Sequence, residues 1–181
     1  MNGVVEFAIR QIGAGDIVTG LSLGDAAFLP LKTYLQKDAR KHHEQGLART
    51  YGVFFDEEPQ RVKAYVTLVC GEISAVPEGS VLADPSVRYP YSHFPAVKIA
   101  RLAVDRRLQG LGLRLGSRLV DLALGISKDV ISPAVGCRVL VVDAKSQSVG
   151  FYERCGFRLL DTAANRGRDD RIMFVDLMKL N

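Results

Sequence analysis

Residues 100–125 read ARLAVDRRLQGLGLRLGSRLVDLALG and join three unlike pieces: an apolar run, a basic glycine-rich patch and a leucine-rich run. The first piece has strand character and the last has helical periodicity, so the middle is a strand-to-helix turn. Each glycine among good helix formers costs roughly 0.5–1 kcal/mol relative to alanine, so bare backbone must serve a purpose here. At a helix start the first N–H groups have no intrahelical partner, and glycine lets an anion approach them closely. The spacing Gly110, Gly112, Gly116 is neither the G-x-G-x-x-G of dinucleotide folds nor a G-x-x-x-x-G-K-[ST] phosphate loop. Two readings of the patch stand at this level: a phosphate cradle of another kind, and a flexible turn before a basic helix face.

Upstream, AVKIARLAV reads as a strand ending near Val104 or Asp105; downstream, CRVLVVDA is apolar on both faces over residues 139–142, as in a sheet covered on two sides. SQSVGFYERCGF reads as a short helix stopped by Gly156, followed by RLLD and RIMFVDLMKL as strands around a polar loop, TAANRGRDD. In the first half, residues 4–12 read as a strand. Pro30 then opens a helix whose apolar stripe, Leu31, Tyr34, Leu35, Ala39 and His42, ends before Gly46. RTYGVFF and RVKAYVTLVCGEIS, joined by DEEPQ, predict a hairpin. Residues 76–95 carry four prolines, Pro77, Pro85, Pro90 and Pro95, and predict a long irregular loop. Strands and helices in this order predict one α/β or α+β domain over residues 1–181.

With 181 residues, 48% of them hydrophobic, the chain supports one well-buried core. Residues 1–13 carry Glu6 and Arg10 in place of a signal-peptide pattern, and no apolar run reaches a membrane span, so a cytoplasmic location is expected. Cys70, Cys137 and Cys155 form no C-x-x-C pair; each is expected as a buried, reduced thiol, and no metal site is expected. A net charge of +4 admits an anionic partner without identifying it.

RLAVDRRLQGLG, followed some forty residues later by FYERCGF, resembles the GNAT acetyltransferase superfamily over residues 96–157, whose acetyl-CoA motif has the form [QR]-x-x-G-x-[GA]. The resemblance implies a single α/β (α+β) domain. Its central sheet would be mixed but mostly antiparallel, with helices on both faces and a V-shaped splay between two central strands. It implies acetyl-CoA as cosubstrate. The pantetheine arm would lie along the backbone of Leu102, Ala103 and Val104, and the pyrophosphate on the stretch made of Gln109, Gly110, Leu111, Gly112, Arg114, Leu115, Gly116 and Ser117. Arg107-x-x-Gly110-x-Gly112 fits the motif literally. The family, however, places paired apolar helix residues three and four positions after the last glycine, and counting from Gly116 gives Leu119 and Val120, which continue into Leu122, Ala123 and Ile126. Two extra residues in the loop are therefore expected. Arg106, Arg107 and Arg114 suit the coenzyme's phosphates.

By the same resemblance, Tyr152 is the general acid that protonates the departing CoA thiolate; by its residues alone it reads as packing beside Phe151. A backbone N–H near Leu102–Val104 stabilises the oxyanion. Lys145 stands where many relatives carry asparagine, so no asparagine role transfers. Gly150 would admit either the coenzyme arm or a neighbouring strand. Glu72, on the hairpin strand, and His93, in the loop before the central strand, are the candidates for a general base, and each also reads as an ordinary surface or strand-end polar group.

YLQKDARKHHEQGLARTYGVFF and YPYSHFPAVKIARLAVD are similar, through less specific motifs, to the toxin-type GNAT branch, which acetylates the α-amine of aminoacyl-tRNA. That similarity implies RNA-phosphate contacts from Lys37, Arg40, Lys41, Arg49 and Arg88, a ribbon-helix-helix antitoxin as partner, and a homodimer; the same charges also read as a solvated helix face. His42 and His43 are expected as helix-end cations. The acceptor stays open among aminoacyl-tRNA, a small-molecule amine and a protein amine, with a non-catalytic acyl-CoA-binding module as the competing class.

Overall fold

Runs of β-branched and aromatic residues become strands in the computed structural model, which describes residues 6–74 and 90–180. They are β1 (Phe7–Gln11), β2 (Arg49–Phe55), β3 (Ala64–Ser74), β4 (His93–Val104), β5 (Val139–Lys145), β6 (Arg158–Leu159) and β7 (Asp170–Asp176). The helices are α1 (Leu29–Lys37), α2 (Ala39–Glu44), α3 (Leu115–Gly125), α4 (Ser132–Val135), α5 (Val149–Arg154) and α6 (Ala163–Arg166). One seven-stranded sheet has the order β1-β2-β3-β4-β5-β7-β6. The pairs β1/β2, β2/β3, β5/β7 and β6/β7 are antiparallel, whereas β4/β5 is parallel. The mixed, mostly antiparallel sheet and the hairpin of β2 with β3 agree with expectation. So does the limited β4/β5 ladder, which runs from Ala96↔Val139 to Ile99↔Val142 while both strands continue beyond it.

The described residues fall into two compact units, one within Met1–Val69 and Arg101–Asp121, the other within Cys70–Ala100 and Leu122–Asn181. In the first, Tyr34, Leu35 and Ala39 from the two short helices pack with Phe54, Val62, Tyr65 and Ala103. Thr50 and Thr67 face each other across β2/β3, both fully buried, and their hydroxyls satisfy one another at 2.9 Å. In the second, Ile73, Ala96, Val139, Val141, Leu160 and Phe174 form the core.

Five local expectations are corrected. The helix from Pro30 to His42 is two helices, since Asp38 opens to φ −119° between them; Asp38 N–H still reaches Tyr34 C=O and His42 N–H reaches Asp38 C=O, each at 2.9 Å. Aspartate favours such breaks because its short side chain competes for backbone groups. The polar loop TAANRGRDD contains α6, capped by Thr162 and held by buried Asn165, whose amide donates to Leu160 C=O and Ile172 C=O and accepts from Ile172 N–H. The last strand stops at Asp176, which takes Arg138 at 2.9 Å and caps a 3₁₀ turn over Leu177–Lys179. Cys70 is exposed on β3, in a stretch where Cys70, Gly71 and Glu72 are all uncovered; Cys137 is buried and Cys155 half-buried. Of the proline-rich loop, residues 75–89 lie outside the described residues, and residues 93–95 already belong to β4. Beyond α3 the helical path continues through a π segment, Ile126–Ile131, with the buried Ser127 hydroxyl on Ala123 C=O.

Candidate coenzyme loop and acid

The strand-to-helix turn is anchored at Asp105, whose N–H donates to Lys63 C=O at 3.0 Å and whose carboxylate caps the 3₁₀ turn Arg106–Leu108. Gln109 ties back through its amide to Val104 C=O at 3.1 Å. Gly110 and Gly112 then take φ of +79° and +75°, where L side chains are strained, and a Cβ on either would meet no atom within 4 Å. Leu111 between them is 62% exposed. Arg114 also takes a left-handed φ of 52° before α3 begins at Leu115. The helix carries no acid in its first turn, and its first rung is Arg118 N–H to Arg114 C=O at 3.0 Å, so the amides of Leu115 and Gly116 precede the ladder. Open glycines ahead of a helix start suit a phosphate, so the residues present fit the coenzyme.

Leu119, Val120 and Ala123 are fully buried, which agrees with the helix register counted from Gly116. The Arg107 guanidinium is bound to the Asp105 carboxylate and to Gly20 C=O, so it holds the loop's base. Arg106 packs over Gly24, and Arg114 is exposed. Ala103 is buried in the first core, while Leu102 and Val104 are half-buried on the part of β4 beyond its ladder with β5.

In the second unit, Tyr152 sits on α5, 6% exposed, with the rings of Phe151 and Phe157 edge-on at 5.0 and 5.3 Å. Gly156 at φ +88° ends the helix as the sequence predicts, and Phe157 N–H closes onto Tyr152 C=O at 3.0 Å. Burial, and secondarily Cys155, pushes the Tyr152 pKa up, so its hydroxyl is protonated at neutral pH. A Cβ on Gly150 would meet only Arg154 among the described residues, so no strand packs against that glycine. Glu72 is exposed on β3, and His93 is exposed with its Nδ1 2.9 Å from Ser92 Oγ. Sequence reasoning missed the pair Lys98 Nζ–Asp143 Oδ2 at 2.6 Å, which joins β4 to β5 next to the end of their ladder; no spacing within either strand announces it.

Of the expected RNA-facing cations, Lys37 and Lys41 are exposed. Arg40 instead donates to Asp16 C=O and Arg49 to His43 C=O at 2.6 Å, so both hold the chain's own backbone; Arg88 lies outside the described residues. His43 is no helix-end cation: burial first, then Arg49, lowers its pKa and favours the neutral ring. His42 rests against the Tyr34 ring, centroids 5.5 Å apart. Among the described residues no group of three potential ligands could hold a metal, and no helix is long and apolar enough to cross a membrane.

Residues 30–157 match the acetyltransferase (GNAT) family. A tRNA-acetylating toxin of Mycobacterium tuberculosis (strain ATCC 25618 / H37Rv) is 32% identical over 160 residues, 86% of each chain. Among solved structures, AtaT complexed with acetyl-methionyl-tRNAfMet superposes with a TM-score of 0.79 at 24% identity, covering 96% of both chains. AtaTR bound with AcCoA gives a TM-score of 0.73 at 26% identity, covering 95% of this chain and 94% of that one.

Proposed function

The chain belongs to the acetyltransferase (GNAT) family, and from that premise we propose that it transfers the acetyl group of acetyl-CoA to the α-amine of an aminoacyl-tRNA, with Tyr152 as general acid. It is an N-acetyltransferase, and the family uses acetyl-CoA, which supplies an acetyl group activated as a thioester. For the acceptor, the carrying observation is the 32% identity to a tRNA-acetylating toxin, spread over 86% of both chains.

The loop from Gln109 to Ser117 cradles the pyrophosphate: the Gln109 N–H is taken by Arg106 C=O at 3.2 Å, Gly110 and Gly112 admit the phosphate, and the start of α3 adds its positive end. Leu102, Ala103 and Val104 offer backbone groups that β5 does not pair, for the pantetheine arm and for the oxyanion. Tyr152 holds its proton at neutral pH and releases it to the leaving sulfur. No strong base is needed: an α-amine with a pKa of about 8 is about one-tenth neutral at pH 7, so Glu72 assists at most. Among the described residues Lys37 and Lys41 are the expected cations left for RNA phosphates, with a ribbon-helix-helix antitoxin, a homodimer and a cytoplasmic location completing the proposal.

A small-molecule or protein amine is the second reading, favoured by the engagement of Arg40 and Arg49 with internal carbonyls. The deciding experiment supplies labelled acetyl-CoA with a set of aminoacyl-tRNAs, free amino acids, polyamines and lysine peptides. Acetylated aminoacyl-tRNA formed fastest supports the proposal. Faster acetylation of polyamines or lysine side chains ends it in favour of the second reading, and no transfer to any amine points to a binding module.

A further inference from the structure

Asp105 follows β4 directly and is 1% exposed, so its charge needs full compensation. One oxygen accepts from the N–H of Arg107 at 3.0 Å and from its Nε at 2.8 Å; the other accepts from Arg107 Nη2 and, at 3.2 Å, from the N–H of Ser22. Two neighbouring contacts run to the same distant segment. Arg106 N–H donates to Ser22 C=O at 2.7 Å, and Arg107 Nη2 to Gly20 C=O at 2.9 Å. A side chain on Gly24 would collide with Arg106, so that segment lies closely against the loop's base.

Capping the 3₁₀ turn needs a single acceptor oxygen, which serine would supply without a buried charge. The second oxygen and the guanidinium do something else: they fasten residues 20–22 to residues 105–107. Past that clamp the chain has little to hold it. Gly110 and Gly112 have open space before them and Leu111 is exposed, so the direction of their amides is set at the two ends, by Asp105 upstream and α3 downstream.

We propose that Asp105, clamped by Arg107 and Ser22, is a positioning residue that aims the loop amides at the pyrophosphate of acetyl-CoA. The proposal rests on residues 109–117 being the coenzyme cradle. Asp105 touches no reacting atom and acts through the loop.

The test is direct binding, by calorimetry, of acetyl-CoA and of S-acetylpantetheine, which carries the thioester arm without the pyrophosphate. In Asp105→Asn, acetyl-CoA affinity should fall by about tenfold or more, the scale on which small misplacements act, while S-acetylpantetheine affinity stays within about twofold. Arg107→Met, which keeps both backbone donors on Asp105, should show the same selective loss and carries the test if Asp105→Asn does not fold; Arg107→Lys should recover part of it. Equal losses for both ligands in the folded variants would overturn the proposal and leave Asp105 with a purely structural role. A wild type that binds acetyl-CoA no better than S-acetylpantetheine would overturn the cradle itself, a different failure read before any variant is made.

Discussion

The guanidinium of Arg101 lies 3.6 Å from the centroid of the Tyr34 ring, joining β4 to α1 by a cation–π contact just ahead of Leu102. The Tyr34 hydroxyl beneath it is buried and finds no hydrogen-bond partner among the described residues. Ring and hydroxyl therefore pull in opposite directions. Tyr34→Phe, which keeps the ring and removes an unsatisfied group, should leave stability unchanged or raise it by up to about 1 kcal/mol. Tyr34→Leu should lower it, and a cycle with Arg101→Met should return a coupling of about 0.5–2 kcal/mol. Urea denaturation of the four variants checks both numbers; a Tyr34→Phe loss above about 1 kcal/mol would mean the hydroxyl has a partner.

Tyr152→Phe should retain acetyl-CoA binding and lose turnover by about 100-fold to 10,000-fold, since only one oxygen leaves a ring packed between Phe151 and Phe157. Single-turnover rates beside coenzyme affinity separate the two effects. Unchanged single-turnover rates would reduce Tyr152 to packing.

Gly112→Val places a β-branched side chain at φ +75°, in the space a phosphate would enter. Acetyl-CoA stabilises the folded protein by mass action, and the valine should abolish that thermal shift. A variant with the wild-type shift would move the pyrophosphate elsewhere.

His43 ties stability to pH. Its folded pKa is depressed by burial and by Arg49, so the unfolded chain binds the proton more readily. Stability is then complete above the ordinary histidine range near 6.5 and falls as pH drops through it. His43→Gln should flatten the slope of unfolding free energy between about pH 7.5 and 5, measured by denaturant midpoints at fixed ionic strength. An undiminished slope would assign the titration to another group.

For an RNA acceptor, Lys37→Gln with Lys41→Gln should reduce the slope of log affinity against log salt by between about 1 and 2, as expected for two lost phosphate contacts. Acetyl-CoA affinity should not change. A salt slope equal to wild type would take these lysines out of the RNA interface.

Local chemistry made the strand-to-helix turn and α5 legible from sequence: glycines interrupt the run between β4 and α3 and Gly156 ends α5, and Gly110, Gly112 and Gly156 all take positive φ. The buried face of Leu119, Val120 and Ala123 likewise settled the helix register. What escaped was pairing that depends on how the chain folds back on itself, over separations from five residues to 87. Arg40 and Arg49 read as surface charge because nothing local shows that Asp16 C=O and His43 C=O will stand before them. The tie from Arg107 to the Gly20 carbonyl, 87 residues away, escaped for the same reason. Asn165 turned a polar loop into a packed helix through bonds to Leu160 and Ile172, neither visible in composition.

The parallel pairing of β4 with β5 also bears on how the chain reaches its native state. Hairpin β2–β3 closes across residues 56–63, whereas β4 meets β5 only after residues 105–138 have crossed over. Closing the longer loop costs more entropy before any contact rewards it, and parallel pairs are slower to form for that reason. The four β4/β5 pairs are thus a late event in refolding. Truncations such as Val141→Ala should accelerate unfolding and leave the folding arm of the chevron nearly unchanged, while truncations at Val53 or Val66 in the early hairpin should slow folding itself.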